Sequence, residues 1–272
     1  MLRRFRVYLA FTINELKKQL AYKGVFYIFI FISLFETFIS YFLWMAIYGS
    51  STAEELGGLT RNEMITYVFM VYIAQSLVNI TISDSISDDV VKGQVAMNLI
   101  KPINYRLSLV FQAVGKQIYY FLAPGVFIWI GLEVYKYFAL GESVTQVVNM
   151  VLFGISCLLS FLLYVLFDFC FGMISFFTTY MFGMKLAKDA ILNFLTGSLI
   201  PLSFFPQAIQ RVFDYLPFSS MIYVPVMIYL GKYQGVELFF VLCRQIFWVV
   251  ILYGLGSYLW SRVTKRLIVL GG

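Results

Sequence analysis

Apolar residues along this chain fall into long runs broken by short polar stretches. A helix needs about 20 largely apolar residues to cross the hydrocarbon core of a bilayer. Six segments read as crossings: Val25 to Tyr48, Met64 to Ile82, Leu109 to Leu132, Val147 to about Tyr180, Ala190 to Phe205 and Leu238 to Trp260. Two are unusual. The fourth is too long for one ordinary span, yet Glu133 and Glu142 precede it while Lys185 and Lys188 follow it. Short cytoplasmic loops collect Lys and Arg, so its ends belong on opposite sides. One crossing, extended or kinked near Asp168 to Gly172, satisfies that rule. The fifth is short and carries Pro201, which breaks a helix interior.

Three further segments have a helical stripe without enough apolar length to span. The opening MLRRFRVYLAFTINELKKQLAYKG puts Leu2, Phe5, Leu9, Ile13, Leu16 and Leu20 on one face. Arg3, Arg4, Arg6, Lys17 and Lys18 fall largely elsewhere, the pattern of a helix lying in the membrane interface over residues 1–24. A plain basic leader to the first span is the simpler alternative. After Pro206, QAIQRVFDYLPF sets Ala208, Ile209, Val212, Phe213 and Leu216 against Gln207, Gln210, Arg211 and Asp214. With Pro217 and Pro225 following, residues 206–226 read as an outer re-entrant segment, which survives at membrane depth only when covered by protein or water.

The third such segment, SISDDVVKGQVAMNLIKPINYRL, lies in the loop over residues 83–107 between the second and third spans. Asp88, Asp89 and Lys92 make its first half polar, Gly93 interrupts it, and Val95 and Leu99 share a face in the second half, with Val91 just before. Pro102 then forces the chain out of helix. Such a rigid amphipathic helix suits docking of a cytoplasmic partner; a solvated connector with an interfacial face fits the pattern equally well.

Composition agrees with the periodicity. Hydrophobic residues make up 61% of the 272 positions and charged ones 12%, with a mean hydropathy of +0.84. A soluble domain carries about twice that charged fraction. The expected fold is therefore an all-α polytopic membrane protein forming one domain over residues 1–272. No compact apolar core with small residues after it marks a cleavable signal at the amino terminus.

Charge orients the chain. Basic residues collect at Arg3 to Lys23, at Lys92, Lys101, Arg106 and Lys116, at Lys185 and Lys188, and at Arg262 to Arg266. The intervening loops hold Glu54, Glu55, Glu63, Glu133, Glu142, Asp214 and Glu237. Both termini are then expected on the cytoplasmic side. This bias accounts for the net charge of +6, which therefore does not argue for nucleic acid.

Candidate chemistry is sparse. The chain has no histidine, and its three cysteines, Cys157, Cys170 and Cys243, are scattered through apolar runs. That removes histidine triads, the usual zinc sites and a disulfide framework, so no metal is expected. Ser219, Ser220, Thr178 and Thr179 have no visible base beside them. Charges inside spans mark function or packing: Glu36 and Asp168 could line a substrate path or pair between subunits, or pair within the fold, while Arg244 reads as structural or interfacial. Most of the 29 Phe and 20 Tyr residues suit lipid-facing and interfacial surface.

The loop GQVAMNLIKPINYRL resembles the segment after the second span of ABC-2-type transporter permeases, where a glycine-acidic/Gln-x-Ala run leads to Leu-Leu/Ile-Lys/Arg-Pro. The block KLAKDAILNFLTGSLIPLSFFPQAIQRVFDYLPF is similar to that family's fifth span and outer helix. PVMIYLGK and the closing KRLIVLGG resemble a bacterial branch of it. Gln94 stands where many members carry an acidic residue, so no salt bridge is carried over there. The resemblance implies six spans, residence in a bacterial cytoplasmic membrane, and an exporter pairing two permeases with two separate ATPase subunits. It makes the loop a coupling helix, with Asp88, Asp89, Lys92, Gly93, Gln94, Val95 and Leu99 as the ATPase contact. ATP and magnesium would bind in the partner, and this chain would need no cofactor of its own. The sequence has no G-x-x-x-x-G-K-S/T; Gly115-Lys116 and Gly231-Lys232 lack both the leading glycine and the hydroxyl residue.

Two rival classes remain. An ion-coupled secondary transporter without an ATPase usually shows internal repeats and midplane ion ligands, and neither is evident. A membrane enzyme needs clustered acids or histidines, and the acids here are spread over both faces.

Overall fold

The computed structural model describes residues 2–21, 23–178 and 180–270. The expected stripe positions Leu2 and Phe5, the basic groups of Arg3, Arg4, Lys23 and Arg266, and Thr179 lie outside the described side chains.

The chain is helical almost throughout. The elements are α1 (Leu2–Ala21), α2 (Lys23–Ser50), β1 (Glu55–Leu56), β2 (Leu59–Thr60), α3 (Arg61–Val78), α4 (Ile82–Val91) and α5 (Gln94–Ile100), then α6 (Tyr105–Tyr120) and α7 (Val126–Ala139). They continue as α8 (Val147–Gly172), α9 (Phe182–Leu195), α10 (Gln207–Tyr215), α11 (Tyr223–Tyr229) and α12 (Gly235–Leu270). Among the described residues four stretches are long and apolar enough to cross a membrane: Ile30–Ser50, Arg61–Val91, Val147–Phe176 and Gly235–Lys265. The protein is thus an all-helical, multi-pass membrane protein carrying one small hairpin, β1–β2, that the hydropathy pattern does not reveal. Its two-residue turn, Gly57-Gly58, has both φ angles positive, as a tight hairpin requires.

The segments outside those four depart from the expected boundaries. The third expected span is a bent rod, in which α6 and α7 are joined by a π-helical turn, Phe121–Gly125, containing Pro124. Proline has no N–H to donate and crowds the preceding turn, and the widened π turn absorbs both defects. The fifth expected span is displaced: its helix, α9, starts at Phe182 and stops at Leu195. Gly197, at φ +78°, turns the chain, and Pro201 leads into a 3₁₀ turn, Leu202–Phe204. At about 1.5 Å per residue α9 rises only about 21 Å, short of the hydrocarbon thickness. The long fourth segment is one helix, α8, with a 3₁₀ turn at its end.

The expected re-entrant segment over 206–226 comprises α10 and the start of α11. Every residue of α11 is buried, against α8 and α3. Its neighbourhood holds a polar clamp. Gln245 of α12 donates to the Ser220 carbonyl (2.9 Å) and the Ser160 hydroxyl (3.1 Å), and accepts from the Ser156 hydroxyl (3.1 Å). Each of these groups is fully buried, so every bond substitutes for one that water cannot supply.

Small residues set the helix crossings. At Gly115 of α6, a Cβ would run into the Thr12 backbone of α1, and the Thr12 hydroxyl donates to the Phe111 carbonyl at 2.7 Å. At Gly172 of α8, a Cβ would meet Ile86 Cδ1 at 2.8 Å and Ser83 Cα at 3.2 Å, which brings α4 close against α8.

Candidate functional site

The loop singled out in the sequence folds as a helix–turn–helix. After α4 the chain turns at Gly93, whose φ of +65° only glycine adopts without strain, and re-enters helix as α5. Lys101 is extended before Pro102, which closes α5. Asn104 then caps α6 by accepting the Leu107 N–H (3.2 Å), and the Asn104 N–H donates to the Tyr8 hydroxyl of α1 (2.8 Å).

One carboxylate holds this unit together. Asp89 Oδ2 accepts from Asn98 Nδ2 of α5 (2.9 Å) and from the Tyr105 hydroxyl of α6 (2.8 Å), so α4, α5 and α6 meet on a single oxygen. Lys101 donates in turn to Asn98 Oδ1 at 2.7 Å. Burial raises the Tyr105 pKa well above the ordinary tyrosine range; the hydrogen bond to Asp89 and its negative charge add to the shift. The hydroxyl therefore stays a donor at neutral pH. The Tyr105 ring stacks on Trp260 of α12, and Arg106 Nη1 donates to the Ser257 hydroxyl at 3.0 Å. Beside the loop lies a cleft of about 330 Å³, bordered by Phe11, Asp88, Lys92, Lys101 and Gln112.

The expected contact residues divide into two groups. Asp88, Lys92, Gly93 and Gln94 are exposed, with Lys92 and Asp88 paired along the helix at 3.1 Å. Asp89 and Val95 are engaged within the chain. Asp89 is committed to Asn98 and Tyr105, and Val95, 3% exposed, is packed inward. The short helix returns beside α4, and that fold-back turns Val95 inward. The outward apolar side chains of the loop are Met97 (61% exposed) and Ile100 (76%) on α5 and Val91 (60%) at the end of α4, with Leu99 less exposed at 38%.

Glu36 and Asp168 do not share a site. Glu36 is exposed on α2 among the exposed Ile32, Phe35 and Ile39. Asp168 is 1% exposed and satisfied inside the chain. Its Oδ2 accepts the Ser83 N–H (2.7 Å), while Oδ1 accepts the Ser83 hydroxyl (2.8 Å) and the Lys188 ammonium (2.6 Å). Of the readings open in the sequence, the structure shows a pair within the fold. Lys188, expected as an orienting charge in a loop, is buried in that pair. Arg244 pairs with Asp214 at 3.2 Å, fastening α12 to α10.

The opposite end of the bundle opens a cleft of about 680 Å³, lined by Glu63, Lys136, Glu142, Asn149, Tyr229 and Tyr233 among others. At its edge the Tyr229 hydroxyl accepts from Trp129 Nε1 (2.9 Å) and donates to Glu133, which holds the Thr145 N–H at 3.0 Å. Among the described residues no group of His, Cys, Asp or Glu could hold a metal ion.

Tyr105, Asn98, Met97, Ile100 and Trp260 were not singled out from the sequence. Met97 and Ile100 were within reach of the same periodicity that drew attention to Val95 and Leu99. The Asp89–Tyr105 and Tyr105–Trp260 contacts join residues with no shared helical spacing, so no local pattern marks them.

No curated protein and no solved structure matches the chain. Residues 34–271 match the family model described as ABC-2 family transporter protein, a span that takes in the loop, the re-entrant segment and the chain from within α2 to the end of α12. The chain therefore belongs to the ABC-2 family of membrane transporter permeases.

Proposed function

We propose that this chain is the membrane-spanning half of an ATP-driven exporter, and that a separate ATPase docks on the α4–α5 loop. The observation that carries the reading is the exposed apolar face of Val91, Met97 and Ile100 on a loop otherwise pinned by polar bonds. Large apolar side chains held outward on a rigid loop suit burial against a protein partner. The family is a transport subunit and not itself catalytic. It implies an ATPase partner and usually paired permeases. ATP and magnesium would bind in that partner.

The charge pattern supports six crossings: α2, α3, α6 with α7, α8, α9 with the turn after it, and α12. It also supports cytoplasmic termini, and the resemblance to the family implies a bacterial inner membrane. Export of a hydrophobic or amphipathic substrate, by a complex of two permeases and two ATPases, is what the resemblance to the family implies. The second permease is either an identical chain or a paralogue. Native mass spectrometry of the tagged chain drawn from its own membranes tests the reading. It should show two permeases with two ATPases. A monomer that transports in liposomes without an ATPase would point instead to an ion-coupled secondary transporter.

A further inference from the structure

The buried ion pair Asp168–Lys188 does something the docking loop alone does not explain. It joins three helices at the root of the element that carries the loop. Helix α4 is not a simple continuation of α3, because the chain leaves helix between Val78 and Ile82. The exposed polar groups of that break are patched from α6: Gln117 donates to the Asn79 carbonyl, and Lys116 donates to the Thr81 hydroxyl at 2.9 Å. Helices α4 and α5 therefore form an arm with a non-helical joint at its base. The first turn of the arm is gripped by Asp168 of α8, which accepts both the backbone N–H and the hydroxyl of Ser83. A carboxylate suits that position, since unpaired N–H groups and the positive end of the helix dipole meet there.

The same carboxylate reaches α9 through Lys188 at 2.6 Å, and Lys188 also contacts Asp189 at 3.3 Å. A second tie, Lys185 to Asp84 at 2.5 Å, runs directly from α9 to α4 at a more exposed position. The far end of α9 is coupled in turn. The Thr196 carbonyl accepts the Tyr223 N–H of α11 at 3.0 Å, and the Gly197 carbonyl accepts the Tyr67 hydroxyl of α3 at 2.5 Å. A continuous set of short polar contacts thus runs from the loop-bearing arm, through Asp168 and Lys188, along α9 to the buried re-entrant helix.

We propose that Asp168 is a positioning residue whose clamp on Ser83 and Lys188 transmits displacement of the α4–α5 arm to α9. This rests on the ATPase docking at the loop, and adds the route by which its movement enters the bundle. An ion pair kept only for stability is replaceable. Removing one partner strands a buried charge and is strongly destabilising, but removing both is often neutral. A transmitting pair is not replaceable in that way.

The test uses the permease–ATPase complex in lipid nanodiscs and hydrogen-exchange mass spectrometry, with and without ATP and magnesium. In the wild type, nucleotide should change exchange both in α4–α5 and in α9. Asp168→Asn/Lys188→Met removes both charges together, and Ser83→Ala removes one contact while leaving the pair. Both variants should hold the ATPase and keep the nucleotide response in α4–α5. The response in α9 should be lost in the double variant and reduced in Ser83→Ala. An undiminished α9 response in either assembled variant overturns the proposal. A wild-type complex with no nucleotide response in α4–α5 would overturn the docking reading instead.

Discussion

Tyr105 and Trp260 lie face to face, their ring centroids 5.5 Å apart and their planes 16° from parallel. Trp260 also touches Phe169 of α8, at 5.8 Å between centroids. The exit of the α4–α5 loop is thereby stacked on α12, which packs in turn on α8, while the Tyr105 hydroxyl holds Asp89. Tyr105→Phe keeps the stacking and loses the bond, and Tyr105→Ala loses both. A hydrogen bond to a charged group is worth about 1.5–3 kcal/mol and an aromatic pair about 0.5–1.5 kcal/mol beyond its burial. Tyr105→Phe should loosen α5 and lower the melting temperature in detergent modestly, and Tyr105→Ala should lower it further. Protease sensitivity at Lys92 and Lys101 reports the first effect.

Gly115→Ala should detach α1. The added methyl would overlap the Thr12 backbone, and backbone cannot rotate away as a side-chain tip can. Overpacking of this kind costs about 1–3 kcal/mol. Limited trypsin digestion should then cut at Lys17 and Lys18 faster than in the wild type, with the remaining fragment intact.

Much of this architecture was legible in the sequence because apolar length and Lys/Arg bias are strong, local signals. The single long helix α8, the amphipathic α1 and α10, and the glycine turn before α5 all follow from them. The boundaries of α9 did not. Hydropathy rises only after Ala190, yet the helix begins at Phe182, because Lys188 is neutralised by Asp168 and so tolerates burial. A tertiary ion pair of that kind leaves no trace in a hydropathy pattern. Val95 illustrates the complementary case: periodicity assigns it to the apolar face of α5 but cannot say whether that face meets a partner or its own chain.

Gln245→Leu keeps the approximate volume and removes the polar clamp around α11. It leaves the Ser160 hydroxyl bonded to the Ser220 carbonyl but deprives Ser156 of its acceptor. Interhelical bonds in membranes are worth about 0.6–2 kcal/mol. A modest fall in melting temperature is expected, with ATPase recovery unchanged, measured by unfolding of the purified complex.

Sidedness is checked by thiol labelling of single cysteines in intact cells. Cysteine at Thr52 and at Gln207, both exposed, should react from outside. Cysteine at Lys92 and at Leu186, also exposed, should react only after permeabilisation. Reaction at Leu186 from outside would mean that the segment over α8 and its 3₁₀ turn crosses twice.

In the proposed complex the outward face of α5 receives the ATPase. Buried apolar anchors at an interface cost on the order of 2 kcal/mol each when lost, and a factor of ten in affinity is about 1.4 kcal/mol. Co-purification of the ATPase with tagged permease carrying Met97→Asp/Ile100→Asp is the most direct measurement, since both side chains are exposed and neither holds the loop together. The variant should retain the wild-type melting temperature and lose the ATPase by roughly a hundredfold or more in affinity. Full recovery of the ATPase with that variant would contradict the account.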